Sequence, residues 1–132
     1  MTNWLALPIF NEANKILAER IARACLDKNV AYVCTLGKAC EMLHDWIDEA
    51  VVVDKVDAGL SVSKQDDFEH SPMTTWHNDF DEGVWFALWV AHDDYKEIHS
   101  IVCIDMSENG ESQRLTDLIN AINSGWLPSD ED

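Results

Sequence analysis

The sequence has little of several features that define common classes of protein. It holds nine lysine and arginine residues against 25 acidic ones, with only five glycines and three prolines. The first ten residues lack the basic cluster of a signal peptide and the long apolar run of a membrane span. Internal repeats and Gly/Ser-rich linkers are also missing. We therefore expect one cytoplasmic domain over residues 1–127, followed by a short acidic tail over residues 128–132.

Motifs with a defined chemistry are missing as well. The sequence has no G-x-x-x-x-G-K-[ST] phosphate loop, no G-x-G-x-x-G dinucleotide turn, no C-x-x-C pair and no H-E-x-x-H zinc motif. Cys34, Cys40, His44 and His77 are possible metal ligands by residue type, and Cys40 and His44 are four apart on one helical face. Because no paired motif supports them, we predict no cofactor and no metal.

The four cysteines are interpreted as free thiols. No secretory context favours disulfides, and most of the cysteines fall within apolar, periodic segments, where a thiol acts as a small hydrophobic group. The four cysteines are Cys25, Cys34, Cys40 and Cys103.

What the sequence does have is negative charge, and that charge is unevenly distributed. The formal net charge is −16; residues 1–38 carry five basic and three acidic residues, giving +2, and residues 39–132 carry four basic and 22 acidic residues, giving −18. Such a field repels nucleic acid and anionic membranes and attracts basic proteins. Acidity could serve solubility alone, but solubility requires no such division, so the asymmetry favours a basic partner.

Hydrophobic periodicity predicts alternating helices and strands in the first half of the chain. Apolar residues at three-to-four spacing predict a helix over residues 9–28. The apolar run at 30–34 predicts a buried strand. A second helix is expected over residues 39–50, with Trp46 on its apolar stripe and the acidic residues outside that stripe. The β-branched residues 51–53 predict the next strand.

A polar segment at residues 57–72 is longer than ordinary connections, which indicates a functional loop or a hidden short element. Residues 73–76 predict a strand. Residues 84–90 are interpreted as a helix that Asn78 or Asp79 caps, with a strand as the alternative because of Gly83 and the aromatic residues.

A strand at residues 101–104 and a helix containing Leu115 and Ile122 complete the pattern, and Gly125 ends that helix. Alternation of short apolar strands with helices predicts a single α/β domain with a four-stranded, mostly parallel sheet and helices on both faces, a Rossmann-like α/β/α sandwich.

Ligands of such sheets bind beyond the carboxyl ends of the strands, so the segments predicted there are the first candidates for a site. They are residues 35–38, 54–57, 75–79 and 105–107. The first contains Gly37 and Lys38 and opens a helix, so its N–H groups could hold a small anion. The alternative is a structural turn that needs glycine for its backbone alone.

Histidines and carboxylates at this edge suggest acid–base chemistry. His77 near Asp79 and Asp81, and His44 near Asp45, could supply a general base, with Cys40 or Thr75 as the nucleophile. The residues of this catalytic hypothesis are His77, Asp79, His44 and Thr35. The alternative is structural: His77 and Asp79 start a helix, and His44 is a surface or boundary residue.

The tryptophans could anchor a partner, since this residue type is enriched at the energetic centres of interfaces. Most of the six are expected in the core, and the two near the chain ends, Trp4 and Trp126, are the best exposed candidates. The acidic residues predicted to contact a basic partner are Asp66, Asp67, Glu69, Asp93 and Asp94.

Three short motifs resemble a family of small uncharacterised bacterial α/β proteins. They are residues 32–37 (YVCTLG), the pairs His44-Asp45 and Asp48-Glu49, and residues 74–77 (TTWH) ahead of 85–88 (WFAL). The similarity spans about residues 9–125. It implies an α/β fold, and it implies no activity and no functional residues.

Two functions follow from these observations. The first is an acidic protein-binding module that occupies or neutralises a basic protein, as toxin-immunity proteins and phage inhibitors do. The second is a small enzyme or ligand sensor that uses the carboxyl-edge loops around Thr35, His44, His77 and Asp79. We favour the first on charge, and we expect a monomer or weak homodimer with no nucleic-acid or membrane partner.

Overall fold

A computed structural model describes residues 3–12, 14–59, 72–91, 97–106, 110 and 112–128. Within these ranges four strands alternate with four helices. They are β1 (Trp4–Ile9), α1 (Lys15–Asp27), β2 (Tyr32–Thr35), α2 (Cys40–Asp57), β3 (Met73–Trp76), α3 (Phe80–Trp89), β4 (Ser100–Asp105) and α4 (Ser112–Asn123). The strands are parallel and lie in the order β3-β2-β1-β4. The predicted single α/β domain with a four-stranded parallel sheet is confirmed.

The sheet has a core on each face, and β1 contributes to both. Trp4 and Ala6 belong to the core under α1 and α2. Leu5, Leu7 and Ile9 belong to the core under α3 and α4. All six residues of β1 are buried. Full burial of one such aliphatic side chain contributes about 1.5–3 kcal/mol, so the burial of β1 is a large stabilising contribution to the fold.

The predicted helix over residues 9–28 is wrong at its start, because residues 4–9 form a central strand. A continuous apolar run is typical of a parallel strand covered on both faces. Pro8 has no backbone N–H to donate, but its carbonyl still accepts from the Leu36 N–H at 2.9 Å. The helix α1 begins at Lys15, and the side chain of Asn14 caps it by accepting from the Leu17 N–H at 3.0 Å.

The strand predicted over residues 51–53 is also wrong, because these valines continue α2. The buried residues of α2 are Cys40, Leu43, Ile47 and Val51, so Val51 extends a helical stripe. Val52 and Val53 are 41% and 49% exposed. Burial of one stripe therefore overrides the β-propensity of the three valines.

The other predicted elements are confirmed as β2, β3, β4 and α4. Residues 80–89 are helical rather than extended, and Asp79 is the cap of this helix, α3. Of the predicted 57–72 loop, residues 60–71 lie outside the described residues. In the part of the chain described, no helix is long and apolar enough to cross a membrane.

Candidate functional site

Helices α1 and α2 cover one face of the sheet, and α3 and α4 cover the other. The strands β1 and β4 are neighbours, but the helices that follow them lie on opposite faces. Parallel sheets of this kind bind ligands in the crevice that such a change of face creates at the carboxyl edge. The segments after these strands, residues 10–14 and 106–111, are described only in part. Residues 10–14 were not predicted at this edge, because residues 4–9 were not predicted as a strand. Conversely, residues 54–57 are not at this edge, since they form the last turn of α2.

The turn after β2 is built from backbone contacts with the segment after β1. Gly37 has a φ of +97°, and a Cβ there would lie 2.4 Å from the Phe10 carbonyl oxygen. The N–H of Lys38 donates to the Asn11 Oδ1 at 3.1 Å, and the N–H of Ala39 donates to the Phe10 carbonyl at 3.0 Å. These donors already have partners, so the geometry favours the structural turn over an anion site.

Two residues of the catalytic hypothesis have structural roles. Thr35 is fully buried, and its hydroxyl donates to the Cys40 carbonyl at 2.8 Å, with the Thr75 carbonyl at 3.2 Å. The Asp79 carboxylate accepts from the Glu82 N–H at 3.2 Å as the cap of α3. Burial prevents the Thr35 side chain from contacting a substrate, and one oxygen of the exposed Asp79 carboxylate is engaged at the start of α3.

His44 lies on α2 and binds acidic residues of its own helix. Its Nδ1 is 3.3 Å from the Asp45 Oδ1, and its Nε2 is 3.5 Å from the Asp48 Oδ2. Asp48 in turn accepts from the hydroxyl of Thr74 on β3. These contacts lie on the α2 side of the sheet. The structure therefore does not pair His44 with His77, whose ring contacts α3.

His77 is the centre of a group of contacting side chains that we call the carboxyl-edge cluster: Thr75, His77, Glu82 and Phe86. The His77 Nε2 is 2.9 Å from the Thr75 Oγ1, and its Nδ1 is 3.0 Å from the Glu82 Oε2. The rings of His77 and Phe86 lie 4.7 Å apart. Glu82 was not predicted; the acids considered as partners were Asp79 and Asp81.

The three buried thiols are neutral. Burial raises the pKa of Cys34 to about 12 and that of Cys25 to about 11, and it also raises the pKa of Cys40. All four cysteines are free, and Cys103 alone among them is exposed. A neutral thiol is a poor nucleophile and a poor metal ligand. Among the described residues, no three His, Cys, Asp or Glu side chains are grouped as metal ligands.

The two tryptophans predicted as anchors are not the exposed ones. Trp4 is 5% exposed, because it lies in the central strand, and its Nε1–H donates to the Lys28 carbonyl at 2.8 Å. Trp126 is partly buried against the core under α3 and α4. Trp89 and Trp76 are 65% and 40% exposed. The predicted acidic contacts lie outside the described residues: Asp66, Asp67, Glu69, Asp93 and Asp94.

A different surface combines an aromatic ring with carboxylates, and we call it the Trp46 surface: Glu41, Met42, Asp45, Trp46 and Glu49. These residues line a groove of about 380 Å³ on the outer side of α2. Trp46 and Glu49 also line an adjoining groove of about 440 Å³ between α1 and α2. The acids of this surface lie outside the apolar stripe of the predicted helix, but Trp46 was assigned to that stripe, so the surface was missed.

The basic residues of α1 are partly neutralised where the two helices meet. Arg23 donates to both carboxylate oxygens of Asp54, at 2.6 and 3.0 Å, and to Asp27 at 3.1 Å. The hydrogen bond from Arg23 lowers the pKa of Asp54. On α2, Glu41, Asp45 and Glu49 are exposed, and they leave the Trp46 surface acidic.

The fold and these surfaces define a Rossmann-like α/β domain with an acidic, aromatic helix face and a hydrogen-bonded histidine at its carboxyl edge. The chain belongs to the DUF7684 family, a domain of unknown function, whose sequence model matches residues 1–122. The predicted resemblance to an uncharacterised domain family is confirmed at that level. No curated protein and no solved structure matches the chain.

Proposed function

We propose that this domain binds a basic protein partner and occupies or neutralises it through the Trp46 surface. The observation that carries the proposal is the groove in which Trp46 lies beside a row of exposed carboxylates. The adjoining groove, which Arg20 and Arg23 also line, extends the contact area around the same aromatic ring. Aromatic residues supply contact area at interfaces, and complementary charge speeds association and selects the partner. The uneven charge of the chain supports the same function.

A contact within the domain illustrates how a partner's cation would be held. The ammonium of Lys15 lies 5.3 Å from the centre of the Trp46 ring, within the range of a cation–π interaction. A lysine or arginine of the partner would replace Lys15 at this ring, flanked by Glu41, Asp45 and Glu49. An isolated surface ion pair contributes little, so the aromatic contact and the row of acids act together.

Immunity proteins and phage inhibitors are the types of protein that fit this proposal. The domain would act in the cytoplasm, and its partner would be a basic protein rather than a nucleic acid or a membrane. The bacterial origin that the sequence resemblance implies is part of this proposal. The expectation of a monomer or weak homodimer also stays a prediction.

Charge reversal tests the proposed surface. The whole domain is used as bait in a pull-down from its native cell, and the captured protein is then titrated against Glu49→Lys and Asp117→Lys variants. Both variants change the net charge equally, but Asp117 lies on α4, on the opposite side of the sheet. We expect Glu49→Lys to weaken binding about tenfold and Asp117→Lys to leave it nearly unchanged.

The complex should also weaken as salt rises and should be indifferent to His77→Ala, which leaves the Trp46 surface intact. Equal loss of binding in both charge variants would reduce the effect to net charge and would contradict the proposed surface. Failure to capture any basic protein at low salt would contradict the proposed function itself.

The alternative, an enzyme or ligand sensor at the carboxyl edge, is supported by one observation. Thr35 and Asp79 have structural partners, and His44 binds acids of α2. His77 alone, held between Thr75 and Glu82, retains the geometry of a general base.

A further inference from the structure

We infer that Thr75, His77 and Glu82 form a nucleophile–base–carboxylate relay that accepts an acyl group from a small, uncharged or cationic ester. Thr75 supplies the hydroxyl, His77 the base, and Glu82 the carboxylate that orients the base. This activity is separate from partner binding, because none of the three residues belongs to the Trp46 surface.

The hydrogen bonds fix the tautomer of the neutral imidazole. An ionised carboxylate can only accept hydrogen bonds, so the His77 Nδ1 facing Glu82 must carry the proton. The Nε2 then has a free lone pair, and the Thr75 hydroxyl at 2.9 Å donates to it. This is the arrangement in which a hydroxyl nucleophile is activated by a histidine that a third group orients.

The imidazole is held in place from several sides. The His77 side chain is 9% exposed, and its backbone N–H donates to the Thr35 carbonyl at 3.0 Å. Phe86 packs on the ring. Gly83 allows α3 to lie close to it, since a Cβ at Gly83 would be 2.9 Å from the His77 Cβ. A base whose rotamer is locked by packing is suited to proton transfer.

Thr75 is the nucleophile that this base can reach. It lies half-buried on the edge strand β3, opposite Cys34 in the register of β2 and β3. Cys34 is fully buried and carries a neutral thiol. The Tyr32 phenol also interacts with the Thr75 side chain. Of these three groups, only the Thr75 hydroxyl has a basic nitrogen as its partner in the structure.

The charge of the domain selects among the electrophiles that a hydroxyl could attack. A net charge of −16 disfavours phosphate esters and other anionic substrates near the surface. Acyl esters without negative charge carry no such penalty. The substrate class that fits is therefore a neutral or cationic ester.

The reaction consists of two balanced transfers. The Thr75 Oγ1 attacks the acyl carbon while its proton moves to the His77 Nε2. The bond from the acyl carbon to the leaving oxygen breaks, and that oxygen takes the proton from Nε2 as the alcohol departs. Water then attacks the acyl–Thr75 ester with His77 again as base, which releases the carboxylic acid and regenerates the hydroxyl.

The test uses the full chain with p-nitrophenyl acetate, following acetyl transfer by intact mass and locating it by peptide mapping. We expect acetylation of Thr75, retained in Thr75→Ser at the same position, and slowed about 100-fold in His77→Gln, since general-base catalysis contributes that much or more. Thr116, an exposed threonine on α4, is the internal control for uncatalysed transfer.

Glu82→Gln keeps the inference testable if His77→Gln does not fold. Glu82 is a positioning residue, so Glu82→Gln should slow Thr75 acetylation by at least tenfold while shifting the thermal midpoint only slightly. Acetylation of Thr75 no faster than that of Thr116, or equal rates in wild type and Glu82→Gln, would overturn the relay. Asp117→Lys, a charge reversal on α4 outside both the relay and the Trp46 surface, should acetylate normally, so slower acetylation in Glu82→Gln is not an effect of net charge.

Discussion

Gly37 and Gly59 share a left-handed backbone but differ in their surroundings. A Cβ at Gly37 would overlap the Phe10 carbonyl, whereas nothing lies within 4 Å of a Cβ at Gly59. Alanine at Gly59 should cost about 1–2 kcal/mol for the conformation alone. Alanine at Gly37 should cost about 1–3 kcal/mol more, because backbone must move. Urea unfolding of both variants checks this, and equal losses would contradict the close approach.

At the same scale, the candidate site could be predicted only in part. The position of His77 after a strand at the carboxyl edge identified it as a possible base, and Thr75 was a possible nucleophile. Glu82 could not be chosen over Asp79 and Asp81, because the choice depends on where α3 lies against the sheet. Gly83 sets that distance, and its effect is visible only once the helix is in place.

At the scale of elements, α2 buries Val51 and exposes Val53, whereas a strand would place both side chains on the same face. Val51→Ala should cost about 1.5–3 kcal/mol, because Val51 is 8% exposed and packs in the core. Val53→Ala should be neutral or slightly stabilising, since Val53 is half-exposed and alanine has the higher helix propensity. Denaturant midpoints of the two variants provide the measurement. In a strand, residues 51 and 53 would share a face, so equal losses would contradict the helix.

The two errors in the predicted elements have one physical origin. Short apolar runs carry a strand signal and a buried-helix signal together. At residues 4–9, Pro8 and the helical spacing from Ile9 onward argued against a strand, although the structure has a strand there that is buried on both faces. At residues 51–53, three β-branched residues favoured a strand, although Val51 continues the buried helical stripe from Ile47. Tertiary burial decided both cases, and the remaining strands were predictable because turn residues flank them.

At the scale of the whole molecule, the excess of negative charge should oppose compactness. Raising NaCl from roughly 0.02 M to 0.5 M shortens the Debye length from about 20 Å to under 5 Å and screens this repulsion. We expect the thermal midpoint of the free domain to rise by a few degrees. Calorimetry at both salt concentrations measures it. The same salt should release a bound basic partner, so stability and binding respond in opposite directions; a falling midpoint would contradict the charge argument.

The position of β1 in the sheet also sets an order of events during synthesis. Trp4 pairs with Ser100 and Ile9 with Asp105, so the first strand made receives its last neighbour only when β4 leaves the ribosome. Until then, one edge of β1, the most apolar of the four described strands, lacks the neighbour it has in the folded sheet, and exposed strand edges of this kind promote aggregation. The nascent chain thus has a period of vulnerability that ends only with the completion of β4.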